Sequence, residues 1–296
     1  MRTSAFGYRL ADVFADRPYT GNGVAVFVDP PRLSAAGFLR VTTEVRQFES
    51  IYLWPAADPR TYRTRIFVLD QELAFAGHPV LGAAAVLHER SGDGGEVAWT
   101  LTLGERAVRV RSRAGAAGGY DVTMDQGRPE FGPVMDEDYR RRVATALSLD
   151  VADLDPGLPM RWASTGLRYL MVPVRPGALP RTRIRTGDFG NLLAESGASL
   201  CYVLAPSTRE ARNWVNDGSV EDIATGSAAG PAAAYLAHHG QADPSTPVEL
   251  SQGRFLDRPS IMRVDLAVRG GTIEEITLRG HVCLTGSGTL DTPPEG

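Results

Sequence analysis

The chain has 296 residues, 43% of them hydrophobic and 22% charged, with a net charge of −4. That is the composition of a globular protein long enough for two domain-sized cores, and with no basic run it excludes nucleic acid or an acidic membrane surface as an expected partner. All 31 basic residues are arginine, which removes Schiff-base chemistry on lysine and the phosphate-binding lysine of a P-loop.

The opening MRTSAFGYRLADVF has no apolar h-region, and no apolar stretch approaches the roughly 18 residues of a membrane span, so a cytoplasmic location is expected. Residues 7–30 read as strand, glycine turn, strand, with the turn at Thr20-Gly21-Asn22-Gly23 and a short strand over 24–28. Helical spacing follows over 33–46. Strands are expected at 51–54 and 62–68, flanking a loop at 56–60, then a helix from the GHP sequence onward. Two strands lie within 97–110, a turn at 115–119 and a strand at 120–124. The stretch DQGRPEFGPVM (residues 125–135) is the best boundary candidate. Beyond it come a charged helix over 136–147 and apolar strands at 169–174 and 200–204. A second Ala-rich helix precedes strands at 248–251, 261–268 and 273–278.

Those two Ala-rich helices are versions of one another. ELAFAGHPVLGAAAVL (residues 72–87) aligns without a gap on EDIATGSAAGPAAAYL (residues 221–236), at a spacing of 149 residues. Each runs from an acidic residue through a glycine turn into a small apolar helix. The spacing suits a duplicated domain rather than a solenoid repeat. A glycine turn at a helix start presents backbone N–H groups that can bind a carboxylate or phosphate. Small residues such as Ala83-Ala84-Ala85 and Ala232-Ala233-Ala234 let strands pack on every side of a central helix.

The candidate chemistry lies at these turns. His78, between Gly77 and Pro79, is placed to relay protons or simply to cap the helix. Asp222 and Ser227 frame the second turn around Thr225 and Gly226; the alternative reading is an ordinary N-cap with a nearby acid. Glu49, in FESIYLWP, stands at the entry to an apolar strand. Desolvation there would raise its pKa and make it a usable acid–base; a solvated strand-edge glutamate is the other reading. Cys201 and Cys283 have no CxxC or zinc spacing, and Cys201 reads as a buried structural thiol. The five histidines make no HExxH pair, so no metal site is expected.

GNGVAVF, FESIYLWP, RIFVLDQELAFAGHPVLGAA, VEDIATGSAAGP and SQGRFLDRPS, in this order, resemble the PhzF family, named from phenazine biosynthesis. The likeness covers nearly the whole chain. It implies an α+β, diaminopimelate-epimerase-like fold of two pseudo-symmetric halves. Each half is a strongly curved, mostly antiparallel sheet around a central helix. The halves would be residues 1–127, with Glu49 and the GHP turn, and 128–296, with the DxATGS turn and a last strand that returns to the first half. It also implies a cofactor-free isomerase in which Glu49 is the acid–base. His78, Asp222 and Ser227 would assist it, with Gly77, Thr225 and Gly226 binding substrate. The expected partner is a small-molecule carboxylate and the expected assembly a homodimer.

Related epimerases carry a cysteine in each half; by resemblance Thr225 holds one of those positions here and the first turn has none, which disfavours a two-thiol racemase. The chain departs from the family pattern at Gly23 (often proline), at Phe48 (a small polar residue) and at Arg46-Gln47. RNWVNDGSVED is also shorter, and Asp257 replaces a glycine. These departures bear mainly on the substrate. The resemblance implies a proton and double-bond shift on a small unsaturated cyclic acid of antibiotic-type biosynthesis. A dihydro-hydroxyanthranilate and a pyrroline carboxylate compete for that role, and Phe48 with the altered rim leans toward the second or toward another non-phenazine ligand. A non-catalytic acid-binding protein and a cysteine-independent epimerase are the rivals.

Overall fold

Every residue of the helix from Gly77 to His88 is buried, and the reason is in its side chains. Three consecutive alanines and Gly82 leave a cylinder slim enough for strands to approach on all sides. At Gly82 a Cβ would stand only 2.6 Å from Val24 Cγ1, so no larger residue fits. The computed structural model describes residues 5–294, and the chain divides into two compact units, residues 1–125 with 279–296 and residues 126–278.

In the first unit β1 (Phe6–Val13) pairs antiparallel with β2 (Asn22–Val28). Helix α1 (Ala35–Val45), N-capped by the Ser34 hydroxyl, carries the chain over to β3 (Glu49–Pro55), which lies parallel to β2. β4 (Thr61–Val68) is antiparallel to β3, and the short β5 (Glu72–Leu73) folds back on it. Helix α2 (Gly77–Ser91) then leads to β6 (Val97–Leu103), parallel to β4, and to the meander β7 (Arg106–Ala114) and β8 (Tyr120–Gly127). Helix α2 touches β1, β2, β3, β6 and β7, so the sheet wraps around it. On the sheet's outer face α1 seals an aromatic cluster in which Phe27 stacks on Tyr52 at 4.7 Å and Phe38 meets Trp54 edge-on at 5.6 Å.

The second unit repeats this plan. After β9 (Glu130–Phe131) and α3 (Glu137–Ala146), N-capped by Asp136, β10 (Arg161–Ser164) pairs antiparallel with β11 (Arg168–Pro173). Helix α4 (Phe189–Glu195) crosses to β12 (Leu200–Ala205), parallel to β11. β13 (Glu210–Trp214) is antiparallel to β12, and β14 (Glu221–Asp222) folds back on it. Helix α5 (Gly226–His238) leads to β15 (Val248–Gln252), which pairs parallel with β13, then to β16 (Ser260–Arg269). Helix α5 touches β10, β11, β15 and β16. The order of elements and the sense of every pairing match those of the first unit from β1 to β7.

The fold class is therefore the mixed α+β one expected. The differences are local. The reversal between β1 and β2 falls before Asn22, at Tyr19 and Gly21, both with positive φ, and Asn22 and Gly23 belong to the strand. The last strand does not end at 278: β17 (Thr272–Leu290) continues into the first unit, where it pairs with all of β1. No helix among the described residues is long and apolar enough to cross a membrane.

Candidate active site

Glu49 opens β3, held between two hydrogen-bonded neighbours: it pairs with Val24 of β2 and Val68 of β4. That central position leaves it 8% exposed, not at a solvated strand edge. His78 is the second residue of α2 and is 4% exposed. Its Nδ1 lies 3.9 Å from Glu49 Oε2 and 3.4 Å from the Asn22 side-chain nitrogen. No side chain caps α2, whose N-cap residue is Ala76; His78 is thus engaged with Glu49 and Asn22 instead of serving as the cap. The first unit accordingly brings together Glu49, His78 and Gly77. Together they put a carboxylate and an imidazole at ion-pair range in a low-dielectric setting, beside the positive end of a helix.

In the second unit Asp222, Thr225, Gly226 and Ser227 form the matching turn. Thr225 donates its hydroxyl to Asp222 Oδ2 at 2.7 Å. Gln252, buried at the end of β15, braces both: its Nε2 donates to the Asp222 carbonyl at 2.8 Å and to Thr225 Oγ1 at 3.0 Å, while its Oε1 accepts from the Thr225 N–H at 3.2 Å. Ser227 is half-buried and shares a 2.6 Å hydrogen bond with the Tyr169 hydroxyl. Neither Thr225 nor Ser227 caps α5 with its side chain. Pro231 lacks the N–H that would meet the Ser227 carbonyl in an unbroken helix, and Gly226 gives its carbonyl to Gln126 Nε2 at 2.9 Å. Both turns thus begin a helix with no side-chain cap, the arrangement that suits an anion.

Several of these partners were not singled out from the sequence. Asn22 lies in a glycine motif that reads as a turn, Tyr169 in a run that reads as an apolar strand, and Gln252 within SQGRFLDRPS. The alternation of inward positions along β11 is the signal that could have marked Tyr169. Cys201 and Cys283 lie in β12 and β17, in neither turn. Burial pushes the Cys201 thiol up to about 12, and Cys283 contacts the Ala15 carbonyl at 3.5 Å. Two departures from the family pattern acquire a geometry. Arg46, the C-cap of α1, and Asp257 both hold left-handed backbone with φ 54°, the conformation that glycine and asparagine adopt most readily.

The sequence profile of the phenazine biosynthesis-like family (PhzC-PhzF) matches residues 11–288. Among curated proteins, the chain is 30% identical over 288 residues to a trans-2,3-dihydro-3-hydroxyanthranilate isomerase of Pseudomonas fluorescens, covering 96% of this chain and 98% of that one. It is 29% identical to an uncharacterised isomerase, YddE, of Escherichia coli O157:H7, covering 91% and 93%. Among solved structures, one described as a predicted epimerase from Pseudomonas aeruginosa is 48% identical, with a TM-score of 0.90 over 96% of this chain and 99% of that one. A PhzF-family protein of Bacillus anthracis shares the fold at 21% identity and a TM-score of 0.83, over 97% and 99%.

Proposed function

Because this chain belongs to the phenazine biosynthesis-like family and is an isomerase, we propose that it relocates a proton and a double bond on a small unsaturated cyclic acid, with Glu49 as the acid–base. The observation that carries this reading is the buried Glu49–His78 pair at 3.9 Å, beside the uncapped start of α2. In the proposed reaction the Glu49 carboxylate takes a proton from an activated ring carbon, the electron pair shifts along the conjugated system, and Glu49, whose proton exchanges with solvent while it is held, returns a proton at another carbon. No electrons leave the substrate, so the step balances without an oxidant or an organic cofactor. His78, held by Asn22, steadies charge on Glu49 and relays its proton. Asp222 and Ser227 take polar groups of the substrate. The first-turn amides at Gly77 and Gly226 favour its carboxylate or the charge that develops in transfer.

The relatives named by activity favour a dihydro-hydroxyanthranilate over a pyrroline carboxylate as the substrate class. The test is direct: incubate the purified protein with trans-2,3-dihydro-3-hydroxyanthranilate in deuterated water. Isomerisation with no added metal or cofactor, and deuterium at the new C–H, is the expected result. Turnover of a pyrroline carboxylate alone would move the substrate class. No turnover of either would overturn the reading.

A further inference from the structure

Ser227 is the second residue of α5, as His78 is of α2, at the repeat spacing of 149 residues. A serine inside a helix ordinarily bonds back to its own preceding turn or to water. This one reaches across 58 residues to the Tyr169 hydroxyl, at 2.6 Å. The matching contact in the first unit is that of Asn22 with His78, at 3.4 Å. In each unit a polar side chain from the start of the second long strand, β2 or β11, holds the second residue of the uncapped helix. The bracing is repeated although the residues that make it differ.

The two partners differ in freedom. Tyr169 is 2% exposed, and its strand is paired on both sides, with Ala163 of β10 and Leu200 of β12 opposite it. Its ring also meets that of Tyr202 edge-on at 6.5 Å. Ser227 is half-buried, so it is the member of the pair that a ligand can reach. Its side chain has no other hydrogen-bond partner among the described residues. A serine hydroxyl offers one proton and two lone pairs, so whichever oxygen donates to the other, Ser227 keeps capacity for a second partner. The bond to Tyr169 selects one of its staggered rotamers, and a group set in advance loses little entropy when a ligand arrives.

We propose that Tyr169 is a positioning residue, which holds the Ser227 hydroxyl in the rotamer that hydrogen-bonds a polar group of the substrate. This rests on the assignment of Ser227 to substrate binding in the cyclic-acid reading above. The test is a double-mutant cycle read by calorimetric titration with 3-hydroxyanthranilate. Tyr169→Phe, which removes only the hydroxyl, and Ser227→Ala should each weaken binding by about tenfold, the worth of one hydrogen bond. The double variant should bind no more weakly than Ser227→Ala, because without the serine Tyr169 has nothing to position. With trans-2,3-dihydro-3-hydroxyanthranilate as substrate, Tyr169→Phe should raise KM by about tenfold and hold kcat within about twofold, since the contact serves ground and transition states alike. Wild-type affinity in Tyr169→Phe, a fall in kcat alone, or an equal further loss in the Ser227→Ala background would overturn the proposal and leave the cyclic-acid reading standing. Wild-type affinity in Ser227→Ala would overturn the assignment of Ser227 and the proposal with it. Failure of wild type to bind the probe would overturn both the proposal and the cyclic-acid reading.

Discussion

Arg212 and Glu221 form in the second unit the bidentate pair that Arg65 and Glu72 form in the first. The distances are 2.7 and 2.5 Å for Arg212–Glu221 and 2.7 and 2.6 Å for Arg65–Glu72. In both, the arginine lies on the strand before the repeated turn and the glutamate on the two-residue strand that enters it. Each guanidinium also lies over two aromatic rings: Trp214 and Phe255 at 4.5 and 4.4 Å, Phe38 and Phe67 at 5.1 and 4.8 Å. The duplication thus extends beyond the helices to the ion pair that anchors each turn.

The two pairs differ in burial, and their contributions should differ accordingly. Arg212 and Glu221 side chains are 2% and 9% exposed, those of Arg65 and Glu72 32% and 40%. Arg212→Met strands a buried carboxylate and also leaves the Leu179 carbonyl without its 2.7 Å donor, so it should destabilise by about 3–5 kcal/mol. Arg65→Met breaks a largely solvated pair, and about 0–1 kcal/mol is expected. Urea denaturation of both variants compares them; equal losses would refute the burial argument.

Gln252 should behave as the clamp of the second turn. Gln252→Leu keeps the volume but removes its bonds to Asp222 and Thr225, leaving buried groups unmatched; a loss of about 1–3 kcal/mol is expected. Substrate affinity should fall as well, because the orientation of Thr225 against Asp222 is lost. A variant as stable and as active as wild type would show that the turn holds itself.

Neither thiol should matter to turnover. Cys201 is held protonated by burial, and burial likewise raises Cys283, with Asp12 and Asp16 adding to it. Native protein at pH 8 should therefore resist alkylation at both positions. The double variant Cys201→Ser, Cys283→Ser should keep its activity to within about twofold. Loss of activity with the fold intact would point to a thiol mechanism.

His239 supplies a pH signature of stability. Burial first, then His238 and Arg161, lower it below its ordinary 6.5. The unfolded chain therefore binds this proton more readily. The contribution is fully present above 6.5 and is lost as pH falls through the folded value. His239→Gln should flatten the acid side of the melting-temperature profile. A profile with unchanged slope would remove His239 from the account.

Much of this was legible in the sequence, for physical reasons. The repeated turns announce themselves through Gly77 and Gly226, and the alanine triplets require strands on all sides. The apolar runs at 51–54 and 200–204 mark central strands. The burial of Glu49 was not legible, because it depends on β4 closing over β3 from residues almost twenty places away. The contacts of Tyr169 with Ser227 and of Gln252 with Thr225 span 58 and 27 residues, so no local pattern reveals them. The second half of β17, HVCLTGSGTL, mixes glycine and hydroxyl residues and has no strand alternation; pairing with β1 is what holds it. Helix α4, only seven residues with a Gly-Asn pair inside, is similarly supplied by packing.

The reaction turns on the proton carrier, and Glu49→Gln tests that role most directly. The amide keeps the shape of the side chain but cannot accept the proton. The variant should fold and bind 3-hydroxyanthranilate as wild type does, yet isomerise trans-2,3-dihydro-3-hydroxyanthranilate more slowly by about 10²–10⁴-fold, the usual worth of general acid–base help. Its residual product in deuterated water should carry correspondingly less label per unit time. A Glu49→Gln enzyme with near-normal kcat would contradict the account and pass the acid–base role to His78 or Asp222.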